Sequence, residues 1–160
     1  MILAIDVDYR ENNYAVIAGV IFNNWKDKEP INTIVTDLDH IEDYVSGQFY
    51  KRELPCILKL LDEMQDIPKC IVVDGYVFLD ENKKGLGAYL YEALDKEIAI
   101  IGVAKSAFKN ISTDTYLYRG ESHFTPQWLN LHFFQYLRNM RFRQTKILSN
   151  LNLLISIFVC

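Results

Sequence analysis

Three carboxylates stand where an acidic side chain is costly unless it has a partner or a task. Asp6 interrupts the apolar sequence AIDVD, and Asp74 ends a second apolar run, CIVVD. Glu53 follows the loop-like sequence YVSGQFYKR, at the start of an apolar repeat with helical spacing. An unpaired buried carboxylate costs free energy, whereas about two or three carboxylates can hold magnesium beside water and phosphate oxygens. If the three side chains converge, they could hold paired magnesium ions for phosphodiester hydrolysis.

Each acid also has an ordinary structural interpretation. Asp6 could mark the solvent face of an edge strand, and Asp74 with Gly75 could form a common Asp-Gly turn. Glu53 could simply be favoured by the dipole of the helix that it begins. Spacing alone does not decide between these interpretations and a shared site.

The elements that would position these acids predict an α/β fold. Three β-branched, apolar segments with short connections predict an antiparallel meander over Met1 to Asp8, Tyr14 to Phe22 and Asn32 to Asp39. The pattern then alternates between helix (Arg52 to Gln65, Gly85 to Asp95) and strand (Lys69 to Asp74, Ile98 to Val103). Nearly all-apolar strands joined by helices are typical of parallel pairing. We therefore expect a mixed sheet, antiparallel in its first three strands and then parallel, flanked by helices.

Composition narrows the function classes. The chain has 160 residues, 50% of them apolar, with a formal charge of -4, so it can form one domain with a proper core, and a nucleic-acid surface must be a local patch. Three cysteines without metal-binding spacing, Cys56, Cys70 and Cys160, indicate buried free thiols and a reducing compartment. The first residues form neither a signal peptide nor a membrane span. We expect a cytoplasmic protein without a membrane partner.

The ordered motifs AIDVDY, YVSGQFYKRE, IVVDG, GLGAYL and IGVAKS resemble those of the endonuclease V family, inosine-directed nucleases with a ribonuclease H-like fold. The resemblance covers residues 1–121, and a divergent C-terminal segment, residues 122–160, is expected to pack on the same domain. It implies magnesium-dependent hydrolysis, with manganese as an alternative ion, of the second phosphodiester bond 3′ to inosine or another deaminated base in DNA or RNA.

The resemblance also implies roles for individual residues. Asp6, Glu53 and Asp74 match the metal-binding carboxylates of the family. Lys105 matches the lysine near the scissile phosphate, where its ammonium would neutralise developing charge. Tyr44 matches the aromatic residue of the wedge loop beside the lesion base, and its ring could stack on a base or fill a gap left by one. From the residues alone, a solvent-facing lysine is the default interpretation of Lys105, and Tyr44 could pack under its own loop.

Four neighbouring residues complete the expected nucleic-acid site. Lys51 and Arg52 could touch the phosphate backbone or merely solubilise the helix start. Gly47 and Gly75 could let a ligand approach the backbone closely, as could Gly102, although turn geometry explains each of them as well.

The segment after Asp74 departs from the family pattern. Tyr76 and Val77 stand where the family commonly has His-Gly, and the sequence FLDENKK lacks the usual His-Pro-Arg-Arg run. Ser46 replaces the usual proline of the wedge. The alternative function is therefore a catalytically weak or inactive nucleic-acid-binding protein on the same fold.

Overall fold

The computed structural model describes residues 1–27, 29–80 and 83–103. Its seven strands are β1 (Ile2–Arg10), β2 (Tyr14–Phe22), β3 (Asn32–Leu38), β4 (Cys70–Asp74), β5 (Phe78–Asp80), β6 (Lys83–Lys84) and β7 (Ala99–Val103). Its two helices are α1 (Tyr50–Asp62) and α2 (Leu86–Ala93). The predicted elements therefore form with ends shifted by a few residues.

The larger sheet has five strands in the spatial order β3-β2-β1-β4-β7. β1 pairs antiparallel with β2, and β2 with β3, whereas β1 with β4 and β4 with β7 are parallel. This arrangement confirms the predicted mixed sheet. β1 has neighbours on both sides, so the interpretation that Asp6 marks an edge strand is wrong.

Helix α1 covers one face of this sheet. Its residues Ile57 and Leu60 are almost fully buried and belong to the same core cluster as Leu3 and Ile5 of β1. Burying one such side chain stabilises a fold by roughly 1.5–3 kcal/mol. This packing fixes the start of α1, and with it Glu53, relative to β1.

A short hairpin follows β4 in the segment that departs from the family pattern. β5 and β6 pair antiparallel in a separate two-stranded sheet, with an irregular register between Phe78 and Asp80. The sequence predicts no strands here, because strands of three and two residues are too short to show a periodic apolar pattern. The turn residues Glu81 and Asn82 are not among the described residues.

Several predictions from the sequence can be placed only in part. Cys56 is buried and Cys70 partly buried, both as free thiols, whereas Cys160 lies outside the described residues. Lys105 and the boundary between residues 121 and 122 also lie outside them, so both remain predictions. No helix in the described part of the chain is long and apolar enough to cross a membrane.

Candidate metal and nucleic-acid site

Asp6 and Asp74 lie side by side on neighbouring parallel strands. Ile5 of β1 and Val73 of β4 are the last paired residues of these two strands, and Asp6 and Asp74 are the next residue in each. Adjacent strands are about 4.8 Å apart. Because side chains alternate between the faces of a sheet, residues at the same level of parallel strands point to the same face. Both acids are partly buried. The structure therefore brings these two predicted metal ligands together where β4 ends.

Glu53 reaches this region from the first turn of α1. The residue is only 4% exposed, and its Oε2 accepts a hydrogen bond from the hydroxyl of Tyr9. Burial, as the largest cause, and the charges of Asp74 and Asp6 together raise the pKa of Glu53 to about 8, against the lowering effects of the Tyr9 hydrogen bond and the Arg52 charge. The three carboxylates are therefore close enough to repel one another.

The donor set suits a hard divalent cation, but the acids do not enclose one. Carboxylate oxygens are the ligands that magnesium prefers, and a cation would relieve the repulsion that raises the pKa of Glu53. Within the described ranges, however, no three His, Cys, Asp or Glu side chains are arranged to hold a metal ion. α1 packs on the face of β1 that carries Leu3 and Ile5, whereas alternation directs Asp6 to the other face. Glu53 and Asp6 thus approach the end of the sheet from different sides.

The loop before α1 presents an aromatic surface to solvent. Tyr44 is 63% exposed, and Val45 and Phe49 are also exposed, so Tyr44 does not pack under its own loop. Gly47 has φ of +78°, a conformation that side chains disfavour, and no atom lies within 4 Å of where its Cβ would be. Lys51 is exposed beside this surface. The loop thus offers an accessible ring and an accessible cation.

Arg52 packs on Tyr9, and its contact with the phosphate backbone stays a prediction. Its guanidinium carbon lies 4.0 Å from the centroid of the Tyr9 ring. Its Nε is buried and has no hydrogen-bond partner in the described part of the chain. Arg52 therefore packs inward on Tyr9, rather than simply solubilising the helix start.

Tyr9 contacts Glu53 at the site, although the sequence predicts no role for it. It ends the motif AIDVDY. The available signal is its position: Tyr9 shares the face of Ile5 and Val7, which α1 covers. A polar tip on a face covered by a helix needs a hydrogen-bond partner, and Glu53 supplies it.

The turn after Asp74 is held by close backbone packing. Gly75 donates its N–H to the carbonyl of Val103 at 2.6 Å. A Cβ on Gly102 would lie 2.4 Å from the carbonyl oxygen of Gly75 and 2.9 Å from the nitrogen of Val77. Gly102 thus makes room for the chain's own backbone, which sets the direction of the chain as it leaves Asp74.

Aromatic and ionic contacts tie the hairpin to both helices. Lys84 of β6 donates to Glu92 of α2 at 2.7 and 2.8 Å and lies 5.8 Å from the ring of Tyr89. The ring of Tyr89 stacks on Tyr50, the first residue of α1, at 3.7 Å between centroids. The segment that follows Asp74 is thereby connected to the helix start that carries Glu53.

Comparison with known proteins shows which family the chain resembles. The family model described as Endonuclease V matches residues 1–135, which extends past residue 121, where the motif resemblance ends. Endonuclease V of Rippkaea orientalis is 29% identical over 105 residues, covering 66% of this chain and 45% of the relative. Endonuclease V of Nostoc punctiforme is 27% identical, covering 66% and 47%. The chain spans about half the length of these curated relatives.

Solved structures of similar fold include two endonuclease V proteins. The Streptomyces avermitilis protein is 26% identical, with a TM-score of 0.56, and the match covers 74% of this chain and 49% of that one. The Ciona intestinalis protein, crystallised with a 24mer DNA containing an inosine followed by a ribo-adenosine, is 21% identical with a TM-score of 0.57. That match covers 87% of this chain and 55% of the Ciona protein, and at this identity it shows the fold alone.

Proposed function

The chain belongs to the endonuclease V family, and from that premise we propose that it is a magnesium-dependent endonuclease. Its substrate would be a DNA or RNA strand, cut at a phosphodiester bond 3′ to inosine or another deaminated base. The observation that carries the proposal is that Asp6 and Asp74 lie side by side where β4 ends, with the buried carboxylate of Glu53 near enough for their charges to act on it. Such a group of acids invites a divalent cation.

The acids would divide the work of holding magnesium, or manganese in its place. Asp6 and Asp74 would present oxygens from the sheet, and Glu53 would present one from the helix. Bound cations of this kind activate water and stabilise the leaving oxygen of a phosphodiester. Lys105 would neutralise charge on the phosphate; it lies beyond the described residues.

The exposed loop would recognise the strand. The ring of Tyr44 could stack on a base next to the lesion, since stacking on an aromatic ring tolerates any base. Lys51 would contact the phosphate backbone, and Gly47 and Gly75 would leave the backbone accessible to the strand. The DNA complex of the Ciona relative supports a nucleic-acid substrate for this chain as well.

Cleavage of matched oligonucleotides tests this function. Single-stranded DNA and RNA, each with inosine or guanosine at one position, are incubated with the protein in magnesium and in manganese. We expect cuts only in the inosine strands, at the second phosphodiester bond 3′ to the inosine, and none with Asp74→Ala. Equal cutting of the guanosine strands would contradict the proposed specificity.

One observation favours the alternative of a binding protein without activity. The acids in the described part of the chain do not enclose a metal site. Tight binding of the inosine strand by a folded protein that never cuts it would establish that alternative.

A further inference from the structure

We propose that Tyr9 is a positioning residue for Glu53: its hydroxyl holds one carboxylate oxygen and so directs the other toward the acidic end of the sheet. This inference rests on the proposed function, since it assigns Glu53 to the same site as Asp6 and Asp74. It concerns a residue to which neither the motif comparison nor the spacing of acids assigns a role.

The hydrogen bond itself fixes which oxygen remains available. The Tyr9 hydroxyl donates to Oε2 of Glu53, so Oε1 is the oxygen that would serve the shared site. Glu53 is buried and the bond is partly buried, which limits the water that can compete for it. A partner that orients a ligand in this way typically changes metal affinity about 10-fold to 100-fold when removed.

The Tyr9 ring is itself held in place. Arg52 lies over one face of it, 4.0 Å from the ring centroid to the guanidinium carbon. The buried Nε of Arg52 has no hydrogen-bond partner among the described residues, and the guanidinium interacts with the Tyr9 ring through this cation–π contact and with Glu53 through its charge. Such a contact contributes roughly 0.5–2 kcal/mol, and it restricts the direction of the Tyr9 hydroxyl.

Strand β1 would then set the positions of two ligands at once. It carries Asp6 directly, and through Tyr9 it orients Glu53, which belongs to a different element. The distance between the two carboxylates is then governed by one rigid strand rather than by the packing of α1 alone.

Manganese binding measures this role without relying on cleavage. The loss of the free manganese signal in electron paramagnetic resonance is followed for the wild type, Tyr9→Phe and the control Tyr14→Phe. Tyr14 is also a partly buried tyrosine and is the first residue of β2. Its variant therefore removes a tyrosine hydroxyl that is not the one bonded to Glu53. We expect about 10-fold weaker binding or more for Tyr9→Phe and no change for Tyr14→Phe.

A double variant separates orientation of Glu53 from a general loss of structure. In the Glu53→Gln background, Tyr9→Phe should cause no further loss of manganese affinity, whereas a purely structural effect would persist there. Circular dichroism and urea unfolding verify that each variant is folded. Unchanged affinity in Tyr9→Phe, with weakened binding in Glu53→Gln, would overturn the positioning role and leave the proposed metal site intact. Unchanged affinity in Glu53→Gln and Asp74→Asn would overturn both.

Discussion

At the scale of single residues, the environment of Glu53 is the clearest departure from ordinary chemistry. A glutamate normally ionises near 4.5, but burial and the neighbouring acids raise the pKa of Glu53 to about 8. Tyr9 and Arg52 act in the opposite direction. The folded protein thus favours the protonated form of Glu53 at neutral pH, until a cation or another partner compensates its charge.

This shift predicts a pH-dependent stability in the absence of metal. Because the folded pKa lies above the unfolded one, the native state binds more protons between pH 4.5 and 8, and stability falls as pH rises through that window. Each pKa unit corresponds to about 1.4 kcal/mol, so the fall should amount to several kcal/mol. Urea unfolding in EDTA, from pH 4.5 to 9, measures it against Glu53→Gln.

The matched variant and added metal provide the controls for that fall. Glu53→Gln cannot ionise at this position, so its stability should depend less on pH. Added magnesium should reduce the fall in the wild type, since a bound cation favours the ionised carboxylate. Parallel pH profiles for the two proteins would contradict the raised pKa.

At the scale of elements, the turn after β4 determines where the strand ends, at Asp74, and where the hairpin begins. The backbone of Gly75 to Val77 crosses β7 at Gly102, where there is no room for a side chain. The hairpin then returns to α2 through Lys84 and Glu92. The stacked rings of Tyr50 and Tyr89 connect α1 to α2.

Replacement of Gly102 tests the close packing at this turn. In Gly102→Ala the new Cβ would overlap the carbonyl oxygen of Gly75, and backbone atoms cannot move aside as a flexible side chain can. We expect a loss of roughly 1–3 kcal/mol in the free energy of unfolding, measured by urea denaturation. A variant as stable as the wild type would show that the turn is not packed as described.

The sequence predicts elements here better than it predicts their connections. The long apolar strands and α1 have strong periodic signals, and the mixed sheet follows from them. β5 and β6 have no periodic signal, because strands of three and two residues are too short to show one. Their pairing depends on the fold around them. Tyr9 and Arg52 illustrate the same limit for side chains: their contact joins residues distant in the chain, which spacing does not encode.

At the scale of the whole molecule, the net charge is negative and would repel a negatively charged nucleic acid. The chain carries a formal charge of -4, and Asp6 and Asp74 lie side by side at one end of the sheet with Glu53 near them. The proposed nucleic-acid substrate would therefore have to be attracted by local groups such as Lys51, and by a cation at the acidic end of the sheet. Family membership and the convergence of Asp6 and Asp74 were predictable from ordered motifs, whereas the separate approach of Glu53 required the packing of α1.

The most direct test of this account is the single-turnover cleavage rate of an inosine strand in magnesium by Asp6→Asn and Asp74→Asn. The control is Asp66→Asn, which removes the same charge at an exposed position before β4 begins. Loss of a metal-binding carboxylate should slow cleavage by more than about 100-fold, while Asp66→Asn should cut at the wild-type rate. Wild-type rates in both Asp6→Asn and Asp74→Asn would contradict a nuclease site at this end of the sheet.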